Sequence, residues 1–511
     1  MKLSHRHHMD PRVIARVERR RKERGYVLVT FALLLVPLVI MVGLSVDVGS
    51  WYNRASNIQK AADAAALAGV VWLPDVATAT TYAKQAASRN GFTDGVNGVT
   101  VTVAPVSDTR LRVTITDPNV GSPISGKLGG KSITLSRKAT GEYVLPVPMG
   151  SPDYRLGNNP LSTPVYTPNL WASISAPYTD KNNGDPYSTK CGAGSSGTSC
   201  SQTNTEYRNW GYLYVIDVPA NLVGYSLNVQ VYDAGNYARS NYPNVETADN
   251  GTVNTSFEVF APDNTPLDMF DCLNSTYSLK GKCTNGPGQV TIADNTSSTT
   301  YKNLWQTICR VGTITAAGKY VMQVKTSNIP GVTDSGNGWN QFSIQAVSNG
   351  APVQPALYTT GDLSLFNNLP NQSGTFSSTF YLANILPLHA GKTLQVSLFD
   401  PGDGASGDYY VNILGPGGSS QTCSYAQRGN AYSANITPCK IQSRVGSSGS
   451  NIYNGKWLDI RIKLATTYTC STDCWWKVKY DFVNISSGSG PNDRTVWAAR
   501  VIGDPVHLVE E

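Results

Sequence analysis

The feature that most limits how this chain can fold is the uncharged, apolar run Tyr26–Val46. A run of this length suits a helix that crosses ~30 Å of hydrocarbon, whereas the helix of a soluble domain usually keeps a polar face. A cleaved signal peptide is the alternative, but the run is long for one, and no convincing small-x-small cleavage site precedes Asp47. We therefore predict a retained, single-pass transmembrane helix over residues 26–46.

The distribution of charge predicts the orientation of this helix. The first 25 residues contain nine of the 41 Lys and Arg residues but three of the 35 Asp and Glu residues, which leaves 32 of each kind downstream. Basic flanks of a membrane span stay in the cytoplasm, so we predict a cytoplasmic tail over residues 1–25 and an extracytoplasmic, cell-surface bulk. The neutral outer part lacks the basic surface that phosphate requires, which argues against nucleic-acid binding.

A helical pattern continues beyond the membrane span. Small or apolar residues recur there at alternating steps of three and four: Val48, Trp51, Ala55, Ile58, Ala62, Ala65 and Gly69. This spacing places them in one stripe along a helix. Because the stripe narrows to Ala and Gly, the backbone of a partner could approach it closely, but packing against the chain's own domain explains the pattern equally well.

The same segment carries a family resemblance. A glycine precedes the apolar run, and a series of acidic, amide and small residues follows it: Gly25, then Asp47-Val48-Gly49, Tyr52, Gln59 and Ala61–Gly69, which includes Asp63. In order and spacing, residues 15–145 resemble the N-terminal module of the TadG-like proteins of the Tad (tight adherence, Flp pilus) assembly system. The short alternating runs at 99–103, 111–116 and 133–139 fit the small β-portion that follows the helix in such proteins.

The resemblance implies a membrane-anchored component that contacts other pilus-assembly or envelope proteins. It also implies a possible processing site after Gly25, and family-motif roles for Asp47, Gln59 and Asp63. Type IV prepilins carry Glu five residues after the processed Gly, whereas this chain has Thr30, so processing stays open. Larger TadG-like proteins can contain a von Willebrand A domain with a DxSxS metal motif; this sequence has no DxSxS, so metal-dependent adhesion is not carried over.

The outer region contains a duplicated β-pattern. Gly224–Gly235 aligns without gaps on Gly391–Gly402, and each stretch alternates apolar with polar residues. Further pairs of runs correspond in the same order: Tyr212–Pro219 with Phe380–Pro387, Val259–Pro262 with Asn412–Pro416, Tyr320–Lys325 with Trp476–Phe482, and Phe342–Val347 with Trp497–Ile502. Short alternating strands between Gly, Asn, Asp and Pro clusters are typical of β-sandwiches of jelly-roll type.

These patterns predict a mainly β fold with an N-terminal transmembrane, pilin-like helix. A small α+β module occupies residues 47–145, and the proline-rich residues 146–168 form an extended linker. Two tandem jelly-roll-like β-sandwiches follow, over residues 169–350 and 351–511.

All nine cysteines lie in the outer region, where the compartment permits disulfides. Pairing of near neighbours gives Cys191–Cys200, Cys272–Cys283, Cys423–Cys439 and Cys470–Cys474. Cys309 is left over, and it could replace either member of the second pair. Order along the chain does not decide between these pairings.

The sequence offers little catalytic chemistry. His389 and His507 are the histidines of the outer region, and we expect both to be solvated surface residues, without a GxSxG motif or a nucleophilic cysteine. Calcium is the one cofactor we consider, because Asp400, Asp403 and Asp408 lie in one Gly-rich stretch and hard cations bind carboxylate oxygens. The alternative is a turn that uses Asp and Gly for their backbone freedom.

Our first hypothesis is a non-enzymatic component of a Tad/Flp-type pilus assembly or secretion apparatus, whose sandwiches contact envelope partners or a substratum. The alternative is a surface-anchored carbohydrate-binding protein or glycan hydrolase with a borrowed pilin-like anchor. In that case exposed aromatic rings would stack on surface glycans. The candidate rings are Trp210, Trp339, Trp475 and Trp476.

Overall fold

The chain divides into two units, each with its own internal packing. The computed structural model describes residues 11–73, 76–107, 110–129, 131–143, 147–159, 170–195, 197, 199–233, 253–263, 270, 272–294, 304–368, 373–403, 406–446, 451–471, 473–486, 490–502 and 506–509, with 11–25 as backbone only. One unit comprises Met1–Val144 together with Pro505–Glu511, and we call it the membrane module. The other, Leu145–Asp504, is called the sandwich unit.

The described residues form helices α1 (Pro11–Val70) and α2 (Val76–Arg89) and a series of mostly short strands. The strands are β1 Thr100–Ser107, β2 Arg110–Val120, β3 Ile133–Tyr143, β4 Pro148–Met149, β5 Arg155–Leu156, β6 Leu170–Ser175, β7 Tyr212–Val218, β8 Leu227–Asp233, β9 Val253–Phe260, β10 Gln289–Asp294, β11 Trp305–Val311, β12 Gly318–Lys325, β13 Trp339–Val347, β14 Ala356–Thr360, β15 Asp362–Asn368, β16 Gly374–Asn384, β17 Thr393–Phe399, β18 Asp408–Leu414, β19 Ser424–Gln427, β20 Lys440–Arg444, β21 Trp457–Lys463, β22 Trp475–Ile485, β23 Asn492–Ile502 and β24 Val506–Val509.

In the membrane module, α1 and α2 pack on an antiparallel sheet with the order β1-β2-β3-β24. Strand β2 alternates, so that Leu111, Val113 and Ile115 are buried beneath the helices. A Cβ atom at Gly141 of β3 would lie 2.8 Å from the carbonyl oxygen of Ala66 on α1. Because glycine has no Cβ, the helix and the sheet can approach this closely.

Strand β24 corrects the predicted end of the second sandwich. Its register pairs Val506 with Tyr143 and Val509 with Thr140, so the chain returns to the membrane module after the sandwich unit. The sandwich unit is therefore an insertion between neighbouring strands of that module. The linker prediction is also wrong for the residues described, because 148–149 and 155–156 are strands that pair with β14, β16 and β13; residues 160–169 lie outside the described part.

The sandwich unit contains both predicted jelly rolls. One sheet has the order β10-β9-β12-β7-β14-β4-β16-β22-β18-β20, and the other has the order β11-β8-β13-β6-β15-β23-β17-β21-β19. When strands β6–β13 are numbered 1 to 8 in chain order, they lie in the order 2-7-4-5 in the first sheet and 1-8-3-6 in the second. Strands β15–β23 do the same when β19 is set aside. This arrangement is the jelly-roll topology.

The aligned repeats occupy equivalent places in the two halves: β7 with β16, β8 with β17, β9 with β18, β12 with β22, and β13 with β23. Strand order reverses across the junction, which gives an approximate two-fold relation between the halves. The sandwiches are not separate domains. In one sheet β14 and β4 lie between the strands of the two halves and connect them, and in the other sheet β6 pairs directly with β15. One hydrophobic cluster also extends through both halves.

Among the described residues, the disulfides are Cys191–Cys200, Cys283–Cys309, Cys423–Cys439 and Cys470–Cys474. The predicted Cys272–Cys283 pair is wrong. The backbone of Thr284 donates to the carbonyl of Arg310, so this turn runs beside β11 and Cys283 faces Cys309 with a Cα–Cα distance of 5.3 Å. Cys272 is buried in a different cluster, with Phe260 and Val321.

Candidate functional site on the juxtamembrane helix

Helix α1 changes its surroundings along its length. From Tyr26 to Val46 its large apolar side chains are mostly exposed, with Leu33 70% and Met41 68% exposed. Within the described residues it is the helix long and apolar enough to cross a membrane. The backbone is helical through Gly25, and nothing more is described of that residue. This half of α1 is compatible with a single-pass membrane anchor.

The family-motif residue Asp47 holds a loop against the helix. Its Oδ1 accepts a hydrogen bond from the backbone N–H of Ile124 at 2.8 Å, and its Oδ2 accepts one from Ser125 at 2.9 Å. Asp47 is fully buried, and Gly43 one turn earlier is also buried, where a Cβ atom would lie 2.8 Å from Cγ2 of Ile124. The sequence motif identifies Asp47 but not the loop that it holds.

Further along the helix, Arg54 ties α1 to β2. Its Nε and Nη2 donate to one carboxylate oxygen of Asp117, at 2.9 and 2.6 Å, and its guanidinium lies 4.5 Å from the ring centroid of Phe92. Sequence reasoning missed this contact. The available signal was an acidic residue at an inward position of an otherwise apolar alternating strand.

The motif pair Gln59 and Asp63 lies at the edge of the sheet. Nε2 of Gln59 donates to Oδ1 of Asp63 at 2.8 Å and to the carbonyl oxygen of Lys138 on β3 at 3.1 Å. Both side chains line a cavity of about 500 Å³. Its other walls are Lys138, Ala139 and Thr140 of β3, with Leu508 and Val509 of β24.

The Ala-Gly stripe packs inside the module. Ala55, Ile58, Ala62 and Ala65 are buried, and the last three belong to one hydrophobic cluster with residues of α2 and the sheet. Val48 differs, since it is 55% exposed, and Trp51 is half-buried. Of the two interpretations left open by the sequence, the structure has the packing against the chain's own domain.

The predicted calcium residues do not form one group. Asp400 is fully buried, and Nδ2 of Asn451 donates to Oδ1 of both Asp400 and Asp403, at 3.3 and 2.8 Å. Asp408 instead accepts from the backbone N–H of Gly446. In the part of the chain that the structure describes, no three His, Cys, Asp or Glu side chains form a group that could hold a metal ion, and the calcium site stays a prediction.

The third carboxylate near this loop is Asp493, which comes from β23. It is buried and accepts hydrogen bonds from the backbone N–H groups of Gly402 and Asp403. Burial, with the neighbouring carboxylates of Asp403 and Asp493, raises the pKa of Asp400 to about 11. Burial, followed by the charge of Asp403, also raises the pKa of Asp493 well above its usual range. The Asp400 carboxyl group therefore retains its proton at neutral pH.

The predicted sugar-stacking rings pack against other side chains. Trp476 is 1% exposed, and its Nε1 donates to the hydroxyl of Tyr468. The guanidinium of Arg494 lies 3.4 Å from the ring centroid of Trp339. The rings of Trp210 and Trp475 make edge contacts with neighbouring aromatic rings. Glycan binding is not shown.

The two outer histidines also differ from the expected solvated residues. His389 is 3% exposed and therefore buried, so that expectation is wrong for it. His507 lies on β24, with its Nε2 3.1 Å from a carboxylate oxygen of Glu142 on β3.

The structure defines a helix-bearing α+β module, compatible with membrane anchoring, into which a double jelly-roll unit is inserted. Residues 25–79 match the Tad family model, which describes Flp pilus-assembly TadE/G-like proteins. This range covers α1 from Gly25 onward, includes Asp47, Gln59 and Asp63, and agrees with the resemblance found in the sequence. The match supports a pilus-related role for the N-terminal module.

No curated protein matches this chain. Among solved structures, the cowpea mosaic virus top component (naturally occurring empty particles) aligns at 8% identity over 57% of this chain and 88% of that chain, with a TM-score of 0.15. The infectious bursal disease virus Gx strain structure aligns at 13% identity over 73% of this chain and 78% of that chain, with a TM-score of 0.11. Similarities this low carry no argument, and the jelly-roll description depends on the strand pairing alone.

Proposed function

We propose that this chain is a non-enzymatic, membrane-anchored component of a Tad/Flp-type pilus assembly or secretion apparatus. The observation that carries the proposal is the division of α1: an exposed apolar half is followed directly by a half that packs on its own module. The matched family segment, residues 25–79, covers the membrane half of α1 and all of its packed half. One continuous helix would then connect the bilayer to the folded module.

The basic N-terminal tail supports a cytoplasmic N-terminus, and hence an extracytoplasmic module and sandwich unit. Disulfides in the sandwich unit agree with that side of the membrane, where the compartment is oxidising. The sandwich unit would then present a large, cross-linked β-surface to envelope partners or to a substratum. Calcium has no group of ligands among the described residues and is not part of this proposal.

The experiment is complementation of source cells from which this chain has been deleted. We expect the deletion to abolish Flp-type pili or their secreted products, and the full chain to restore them. The double variant Gln59→Ala/Asp63→Ala should restore them poorly at an equal membrane level. A matched control is Asn53→Ala/Asn57→Ala, an exposed pair with the same spacing on α1, which should complement fully.

Normal pili in the deletion strain would overturn the proposal. A glycan array probed with the full chain in detergent tests the alternative class. Strong saccharide binding together with unchanged pili would favour a carbohydrate-binding function. Protease protection in intact cells tests the orientation separately, because a cytoplasmic sandwich unit would be protected.

A further inference from the structure

Part of the loop between β2 and β3 is held at the level of the membrane span. Its described residues are 121–129 and 131–132, and we call it loop 121–131. Asp47 fixes the backbone of this loop at Ile124, and Ile124 packs against Gly43. Gly43 lies inside the apolar run, three residues before Val46 at its end. With a rise of 1.5 Å per residue, the contact is about 4.5 Å inside that end.

The side chain of Ile124 is not enclosed by protein at this level. It is 40% exposed, and nearby on α1 Leu44 is 53% and Val46 is 47% exposed. Leu44 and Val46 lie within three residues of Gly43 along α1. Exposed apolar surface of this kind marks a contact with lipid or with a partner. Its continuity with the apolar span favours lipid.

The same loop also carries positive charge. Lys127 and Lys131 are exposed, and they follow Ile124 within the loop. The nearby carboxylate of Asp47 is buried and occupied by two backbone N–H groups, so it does not extend toward these amines. An apolar side chain followed by lysines fits a bilayer surface, with the apolar group at the acyl boundary and the amines among phosphates.

We propose that loop 121–131 is a second membrane contact, in which Ile124 enters the bilayer surface and Lys127 and Lys131 bind anionic lipid headgroups. The inference rests on the proposed membrane anchor and adds a lipid-binding surface to it. The module would then be held to the bilayer at two places, α1 and this loop. That arrangement would restrict its tilt relative to the membrane.

The test uses the full chain at one copy per vesicle, with a nitroxide on Ile124→Cys. A matched control is Val76→Cys at the start of α2, where the native residue is also 40% exposed but follows the far end of α1. Collisions with oxygen report lipid, and collisions with a water-soluble nickel complex report solvent. The unsubstituted chain corrects for any label on Cys272.

We expect the label at position 124 to collide with oxygen and to be shielded from nickel, and the label at position 76 to show the reverse. Adding phosphatidylglycerol to phosphatidylcholine vesicles should deepen the label at 124, and Lys127→Glu/Lys131→Glu should abolish that response. Amide hydrogen exchange of β2 and β3 must match the unsubstituted chain, which shows that the module is folded.

Nickel access at position 124 equal to that at 76 would overturn the loop proposal while the anchor stands, provided that the chain resists alkaline carbonate extraction. Shielding from both reagents would indicate a protein cover and would also overturn it. Extraction by carbonate would overturn the anchor, and the loop proposal with it. A loop that enters the bilayer equally in both lipids would refute the headgroup role of the lysines.

Discussion

A single methyl group at Gly69 tests whether the far end of α1 packs on its own module. A Cβ atom there would lie 2.6 Å from Cδ2 of Leu111, 2.8 Å from the carbonyl oxygen of Ala79 and 2.9 Å from Cβ of Ala83. The leucine can rotate away, but the backbone carbonyl of α2 cannot move without shifting that helix. At Gly49, on the same helix, a Cβ atom would meet nothing within 4 Å.

The two substitutions differ in packing and share the change in helix propensity. Alanine replaces glycine in a helix with a gain of up to about 1 kcal/mol, somewhat less in a last turn. Inserting a methyl group into a packed site costs typically about 1–3 kcal/mol. We therefore expect Gly69→Ala to lower the free energy of unfolding of the membrane module by about 1–3 kcal/mol relative to Gly49→Ala.

Amide hydrogen exchange of the full chain in detergent measures this difference locally. Protected amides of α2 and β2 should exchange about 5- to 150-fold faster in Gly69→Ala than in Gly49→Ala, since 1.4 kcal/mol corresponds to a factor of ten. The sandwich unit provides the internal reference, and its exchange should be unchanged. Equal protection in both variants would mean that the stripe does not pack on α2, and would favour packing of the stripe against a partner helix.

The remaining predictions concern charge and sulfur. Arg54→Ala should destabilise the membrane module by about 2–4 kcal/mol, because its carboxylate partner Asp117 stays buried. Lys84→Ala, which removes an exposed ion pair, should cost at most about 1 kcal/mol. Equal amide exchange rates of the module in the two variants would contradict this difference. Asp400 keeps a proton in the folded state, whereas the unfolded chain loses this proton above the usual pKa of an aspartate, so the free energy of unfolding should fall by about 1.4 kcal/mol per pH unit. Urea titrations from pH 6 to 9 should show a shallower fall of this free energy with pH for Asp400→Asn than for the unsubstituted chain. An unchanged fall with pH would refute the buried proton. Alkylation of the denatured, unreduced chain should label Cys272 and leave Cys309 unmodified, as mass spectrometry would show.

The sequence predicts those parts of the fold that depend on the local spacing of apolar and polar residues. The apolar run and the stripe after it predict one helix, and α1 passes through both. The aligned repeats predict equivalent strands, because each strand carries its own alternation of buried and exposed residues. Strand β24 carries no such signal: Val506–Val509 is four residues long, and its pairing with β3 depends on a contact across the entire sandwich unit.

The site shows the same limit. Asp47 could be named from its motif, but its partners are backbone N–H groups 77 and 78 residues away, which no side-chain pattern records. Proximity in sequence groups Asp408 with Asp400, yet the carboxylate that binds the backbone of this loop is Asp493, supplied by another strand. Sequence proximity predicts turns well and predicts convergence across a sandwich poorly.

The insertion of the sandwich unit into the membrane module has a mechanical consequence. The two connections leave from Tyr143 and Val506, which are paired neighbours at one end of β3 and β24. Strand β3 is bonded along most of its length to β2, whereas β24 has four residues and could peel from the edge. Tension shared by both connections is therefore carried mainly by β3. A cut in the connection after β3 would leave the sandwich unit held only by the pairing of β24 with β3, whereas a cut in the connection before β24 would leave the unit covalently attached through β3.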